Sequence, residues 1–209
     1  KMAYNLNNKL VIAISSRALF DLEEENQIFE KDGLDAYYKY QLENEDKSLK
    51  KGTGYRLVEN ILKINSFFSS DERQVEVIIL SKNNAATSLR ITNAINDLKL
   101  DIIRSAWTSG TNISNYLKAF KVDLFLSADD NDVLNAIENG VAAAKILHSN
   151  ENIHNISNEQ VRIAFDGDAV LFSEESELVY KNHGLEAFIE HEKENRNNPL
   201  EMGPFAKLL

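Results

Sequence analysis

Cysteine is absent from this 209-residue chain, which excludes disulfides and thiol catalysis and fits a reducing compartment. Only two prolines interrupt it, and apolar residues make up 43%, so the composition suits a chain with a packed core. Long apolar runs are missing as well. No stretch approaches the roughly 18 to 20 residues of a membrane span. The opening Lys1-Met2-Ala3-Tyr4-Asn5 lacks the apolar centre of a secretion signal. A cytoplasmic protein with no membrane partner is the expectation. Positive charge is scarce: 23 Lys and Arg against 33 Asp and Glu leave a net charge of −10. Without a basic cluster to follow a phosphate backbone, no nucleic-acid partner is expected. His148, His154, His183 and His191 have no metal-ligand spacing and read as surface or linker positions. Gly52-Thr53-Gly54 lacks the lysine of a phosphate loop and reads as a turn. Ser15-Ser16 lacks a nucleophile-elbow context, and Trp107 reads as core rather than a stacking platform.

Short apolar runs alternating with amphipathic stretches are what the chain does contain. Strands are predicted over 10–14, 75–80, 102–108 and 123–127. Helices are predicted over 23–40, interrupted at Gly33, and over 55–68, 85–98, 112–120 and 130–147. This alternation predicts a three-layer α/β unit with a parallel sheet covered on both faces, spanning residues 1–150. The polar stretch that follows places a linker at 151–160.

Asp166-Gly167-Asp168-Ala169-Val170 closes an apolar run over 161–165 that reads as another strand. Extended geometry would aim Asp166 and Asp168 the same way. Gly167 lets the backbone turn sharply beside a ligand. Two like charges so close are unfavourable unless a cation joins them. The pair therefore reads as a magnesium-assisted nucleophile site.

A shift of 151 positions superposes the chain on itself from Ile12/Ile163 to Gly52/Gly203 without a gap. Twelve of these 41 pairs are identical, among them Ala13/Ala164, Glu23/Glu174, Gly33/Gly184, Leu34/Leu185 and Asn44/Asn195. Ser15 stands where Asp166 stands, and Arg17 where Asp168 stands. The first copy has the scaffold without the carboxylates. The second copy, 161–209, reads as the opening strand and helices of a similar unit, without counterparts of residues 59–150. If nothing follows Leu209, that segment is expected to pack on the first unit's sheet edge or on a second copy of the chain.

Asp166-Gly167-Asp168-Ala169-Val170 resembles the first motif, D-x-D-x-(T/V), of haloacid-dehalogenase-like phosphatases. Four blocks in order narrow this further. They are Ala13 to Phe20, Tyr116-Leu117-Lys118-Ala119-Phe120, Asp123-Leu124-Phe125-Leu126-Ser127-Ala128, and Ile163 to Phe172. Together they are similar to the cytosolic 5'-nucleotidase type I family, over nearly the whole chain. The resemblance implies a Rossmann-like parallel sheet and magnesium-dependent hydrolysis of nucleoside 5'-monophosphates, AMP and deoxynucleotides among them. It implies Asp166 as nucleophile and magnesium ligand, forming an aspartyl-phosphate. It implies Asp168 as general acid and base, with its backbone carbonyl on the metal.

The superfamily's remaining motifs have counterparts in the first copy: Ser81, Lys118 and the pair Asp129-Asp130. With Ser15 and Arg17 these form either an inherited, inactive site or a retained phosphate or nucleotide-effector pocket. Ser81 and Asp130 read equally well as helix caps and Lys118 as a solvated charge. Arg17 in a carboxylate's place would turn a cation site into an anion site. Three functions are therefore open: nucleotidase, non-catalytic nucleotide-binding module, and phosphatase of another small phosphoester.

Overall fold

The computed structural model describes residues 5–69, 72–148, 160 and 163–206. It divides into two compact units, Lys1–Val161 and Arg162–Leu209. His154 and most of the expected linker lie outside the described residues.

The first unit is built on a five-stranded parallel sheet with Leu10–Ile14 at its centre, Val75–Ser81 and then Arg104–Trp107 on one side, and Leu124–Ser127 and then Ala142–Lys145 on the other. The chain runs β1 (Leu10–Ile14), α1 (Ser16–Leu19), β2 (Phe20–Asp21), α2 (Glu23–Glu43), β3 (Lys50–Lys51) and α3 (Tyr55–Leu62). A 3-10 turn, Lys63–Phe67, leads into β4 (Val75–Ser81). Then come α4 (Leu89–Asp97), β5 (Arg104–Trp107), α5 (Ser114–Ala119), β6 (Leu124–Ser127), α6 (Asp130–Glu138) and β7 (Ala142–Lys145). β1 is central, with Ile12 opposite both Val77 on β4 and Leu124 on β6.

Strands covered on both faces read as continuous apolar runs, because alternate side chains go to opposite layers. All seven residues of β4 are buried, as are four of five in β1. Val11, Ala13, Ile78 and Leu80 pack in one layer with Ile113, Leu117, Phe125 and Ala136. Ile12, Ile14, Val77 and Ile79 are buried too, and so are Val58 and Ile61 of α3 and Ile91 of α4. Each such side chain contributes roughly 1.5–3 kcal/mol by leaving water. Trp107 is half-buried at the end of β5.

Two expected elements differ. The helix expected over 130–147 stops at Glu138, and Ala142–Lys145 is a fifth parallel strand paired with β6. Gly140 at φ 76° ends the helix in the left-handed conformation typical of a glycine stop. The strand expected over 161–165 is not seen in its described part, 163–165, which has no regular structure. A strand needs a neighbour to bond, and among the described residues none pairs with that segment.

The second unit holds a π-helical turn, Gly167–Leu171, and α7 (Glu175–Asn195). α7 has the same length as α2, 21 residues, and breaks at the matching glycine. Gly33 has φ 84°, ψ −175°, and Gly184 has φ 84°, ψ −177°. Phe29 and Tyr37 meet edge to face at 5.9 Å, and their counterparts Tyr180 and Phe188 do so at 6.1 Å. The side-chain amides of Asn44 and Asn195 donate to the carbonyls of Tyr40 and His191, four residues back in each case.

Candidate functional site

In the first unit the chain leaves β1 for β4 on one side and later returns to β6 on the other. The crevice at the carboxyl ends of β1 and β6 is thus a topological switch point, where such sheets bind ligands. A cavity of about 740 Å³ opens there, lined by Ser15, Arg17, Ser81 and Asp129 from the strand ends and by Phe29, Leu34 and Tyr37 from the kinked α2.

The strand-end hydroxyls are committed to structure. Ser15 Oγ accepts from the backbone N–H of Ala18 at 3.3 Å and of Ala128 at 3.4 Å, so it caps α1 and ties β1 to β6. Ser16 and Ser81 share a buried hydrogen bond of 3.0 Å. Asp129 Oδ1 accepts from Asp132 N–H at 2.9 Å and caps α6. Asp132, buried and 2.6 Å from Lys82 Nζ, has its carboxyl pushed above 3.8 by burial, partly opposed by that lysine.

The α2 wall is fixed by a chain of polar contacts. Arg90, on α4, pairs with Glu25 and reaches Gln41 Oε1. Gln41 Nε2 donates to the Tyr37 hydroxyl at 3.0 Å, which in turn donates to Asn83 Oδ1 at 3.1 Å. Burial raises the Tyr37 phenol above 10.0, keeping it a protonated donor at neutral pH.

Of the first-copy residues singled out in the sequence, Ser15, Arg17, Ser81 and Asp129 meet at this cavity. Lys118 and Asp130 do not line it: Lys118 is exposed on α5, and exposed Asp130 pairs with Lys145 at 2.7 Å. Lys82, Asn83 and the aromatic wall were missed. Lys82 and Asn83 directly follow Ser81, a signal available in the strand-end position itself.

In the second unit, Asp166 and Asp168 are exposed on the π-helical turn. Asp166 Oδ1 accepts from Gly167 N–H at 2.7 Å, which leaves Oδ2 uncommitted among the described residues. The ring closes where Phe172 N–H donates to the Gly167 carbonyl at 3.0 Å, five residues back. In the first copy Phe20 N–H donates to the Ser16 carbonyl, four residues back. The second copy thus carries one extra residue in this turn.

The partner strand records the same displacement. Phe20 pairs antiparallel with Lys51, while Phe172, not Leu171, pairs with Met202, the counterpart of Lys51. Gly52 N–H donates to the Leu19 carbonyl and Gly203 N–H to the Leu171 carbonyl, both at 2.9 Å. π-Turns of this kind are rare and occur often at functional sites.

Among the described residues no three His, Asp or Glu side chains converge to hold a metal. Magnesium needs fewer, since it keeps water and binds through one or two carboxylates plus substrate phosphate. A free carboxylate oxygen on Asp166 and backbone carbonyls on the turn are hard oxygen donors of that kind. The donor set therefore fits magnesium.

The chain matches the 5'-nucleotidase family model across residues 2–209. It is also similar to Cytosolic 5'-nucleotidase 1B of Homo sapiens, 34% identical over 206 residues, covering 97% of this chain and 34% of that protein. The chain spans about a third of the length of this curated relative.

Proposed function

We propose a function from one premise: this chain belongs to the 5'-nucleotidase family. The reaction is hydrolysis of a nucleoside 5'-monophosphate to nucleoside and phosphate, with Asp166 and Asp168 as the reacting groups. The observation that carries the assignment is the exposed Asp166-Gly167-Asp168 turn, with one carboxylate oxygen of Asp166 left uncommitted among the described residues.

Asp166 attacks phosphorus, forming an aspartyl-phosphate as the bond to the ribose 5'-oxygen breaks. Asp168 gives its proton to that leaving oxygen. It then takes a proton from the water that splits the acyl phosphate, so the enzyme returns to its starting state. The Gly167 N–H bond to Asp166 fixes which oxygen is free to react. Magnesium, held by the Asp166 carboxylate and the Asp168 carbonyl, would neutralise phosphoryl charge. The cytosolic relative supports a cytoplasmic location.

Phosphate release from AMP in the presence of magnesium tests the proposal. Asp166→Asn should abolish release to background, and Asp168→Asn should lower it by about a hundredfold or more. Release that persists in Asp166→Asn would remove the nucleophile assignment. A second reading, a nucleotide-binding module without chemistry, is favoured by Ser15 and Arg17 at the strand end of the first unit.

A further inference from the structure

The cavity of the first unit lies beside a turn and kinked helix that match the Asp166 turn and α7 in sequence, yet it cannot perform that chemistry. Its nucleophile position is Ser15, whose hydroxyl accepts two backbone N–H bonds in capping α1 and joining β1 to β6. Its acid position is Arg17, a guanidinium in place of the carboxyl group that general acid–base chemistry there would use. What remains is a concave site with three kinds of wall. Phe29, Leu34 and Tyr37 make an apolar, aromatic side. Arg17 supplies a guanidinium. Asp129 uses one oxygen to cap α6 and forms no ion pair among the described residues, leaving its other oxygen as an acceptor.

The lining acids are mostly compensated. Arg90 neutralises Glu25, and Lys82 lies 2.6 Å from Asp132. Among the described residues Arg17 is held only by Glu23, at 3.0 Å, and both side chains are about a third or more exposed at 33% and 40%. A surface pair of that kind is weak and exchanges readily for a phosphate, whose oxygens match the guanidinium fork.

We propose that this cavity is a second, non-catalytic binding site for a nucleoside 5'-monophosphate. Phosphate lies on Arg17, the ribose hydroxyls donate to Asp129, and the base lies on the Phe29 and Tyr37 wall. The volume, about 740 Å³, is in the range that encloses a ligand of this size. The site does not depend on hydrolysis at Asp166, and the two assignments can fail separately.

The test is equilibrium binding of AMP, adenosine and inorganic phosphate to the full chain carrying Asp166→Asn, without magnesium. AMP should bind with one equivalent and more tightly than adenosine. Arg17→Ala should weaken AMP by about tenfold or more while leaving adenosine unchanged, and Arg17→Lys should restore part of the loss. Phe29→Ala should weaken both AMP and adenosine. Phe29 is 47% exposed, so that change leaves the core intact. Absence of AMP binding overturns the proposal. So does binding that neither Arg17→Ala nor Phe29→Ala alters, or binding present with Asp166 and lost in Asp166→Asn.

Discussion

Gly203 and Gly52 show how the lack of one atom lets a turn close. A Cβ on Gly52 would lie 2.7 Å from the Phe20 carbonyl carbon, and one on Gly203 would lie 2.8 Å from that of Val170 and press on the Val170 and Phe172 carbonyl oxygens. Both neighbours of Gly203 are backbone, so no side chain can swing aside. Gly203→Ala should therefore open the turn that presents Asp166 and Asp168. Amide exchange over residues 167–172 should quicken by about tenfold or more, while α2 is unaffected. Where AMP hydrolysis is measurable, it should fall by about a hundredfold, because a displacement near 1 Å costs that much. Unchanged exchange across 167–172 would show that the close approach does not hold the turn. The glycine pair was readable from the repeat. The extra residue was not, because an i to i+5 bond leaves no mark in composition. The one available clue was that Leu171-Phe172 repeats Leu19-Phe20 one position out of step with the surrounding register.

At the scale of elements, the kinked helix is the part that both copies keep. Gly33 and Gly184 adopt φ 84° with ψ near 180°, a region essentially closed to other residues. Nothing lies within 4 Å of a Cβ built at Gly33, so the cost of a side chain there is conformational and not a clash. Gly33→Ala should destabilise the first unit by about 1–3 kcal/mol in urea unfolding. It should also weaken any ligand that rests on Phe29 and Tyr37, since the break sets their edge-to-face contact across the bend. An unchanged midpoint would mean the helix straightens at no cost. The interruption was legible because glycine is the residue such a break requires. The β4 and β1 strands were legible as unbroken apolar runs. β7 was not: Ala142-Ala143-Ala144-Lys145 favours helix locally, and only pairing with β6 makes it a strand. The aromatic wall over the Ser15 crevice emerged only when α2 folded back across the strand ends.

At the scale of the whole molecule, apolar burial is unevenly divided. Every fully buried apolar side chain among the described residues, from Val11 to Ala143, belongs to the first unit. In the second unit the one buried described residue is Ser176, which bonds Glu192, while Leu178, Tyr180, Leu185 and Ile189 are exposed. Burial of apolar surface is the main term that offsets chain entropy, so the two units should open at different free energies. Amides of β1, β4 and β6 should exchange only through global unfolding, and those of α7 through local opening. Native-state hydrogen exchange should show α7 at least about a hundredfold less protected than β4. AMP added without magnesium should raise protection at residues 15–17 and 81–87 and leave α7 unchanged, because the ligand proposed for the Ser15 crevice touches only the first unit. Protection of α7 equal to that of β4 would show that the second unit draws its stability from contacts beyond its own short core.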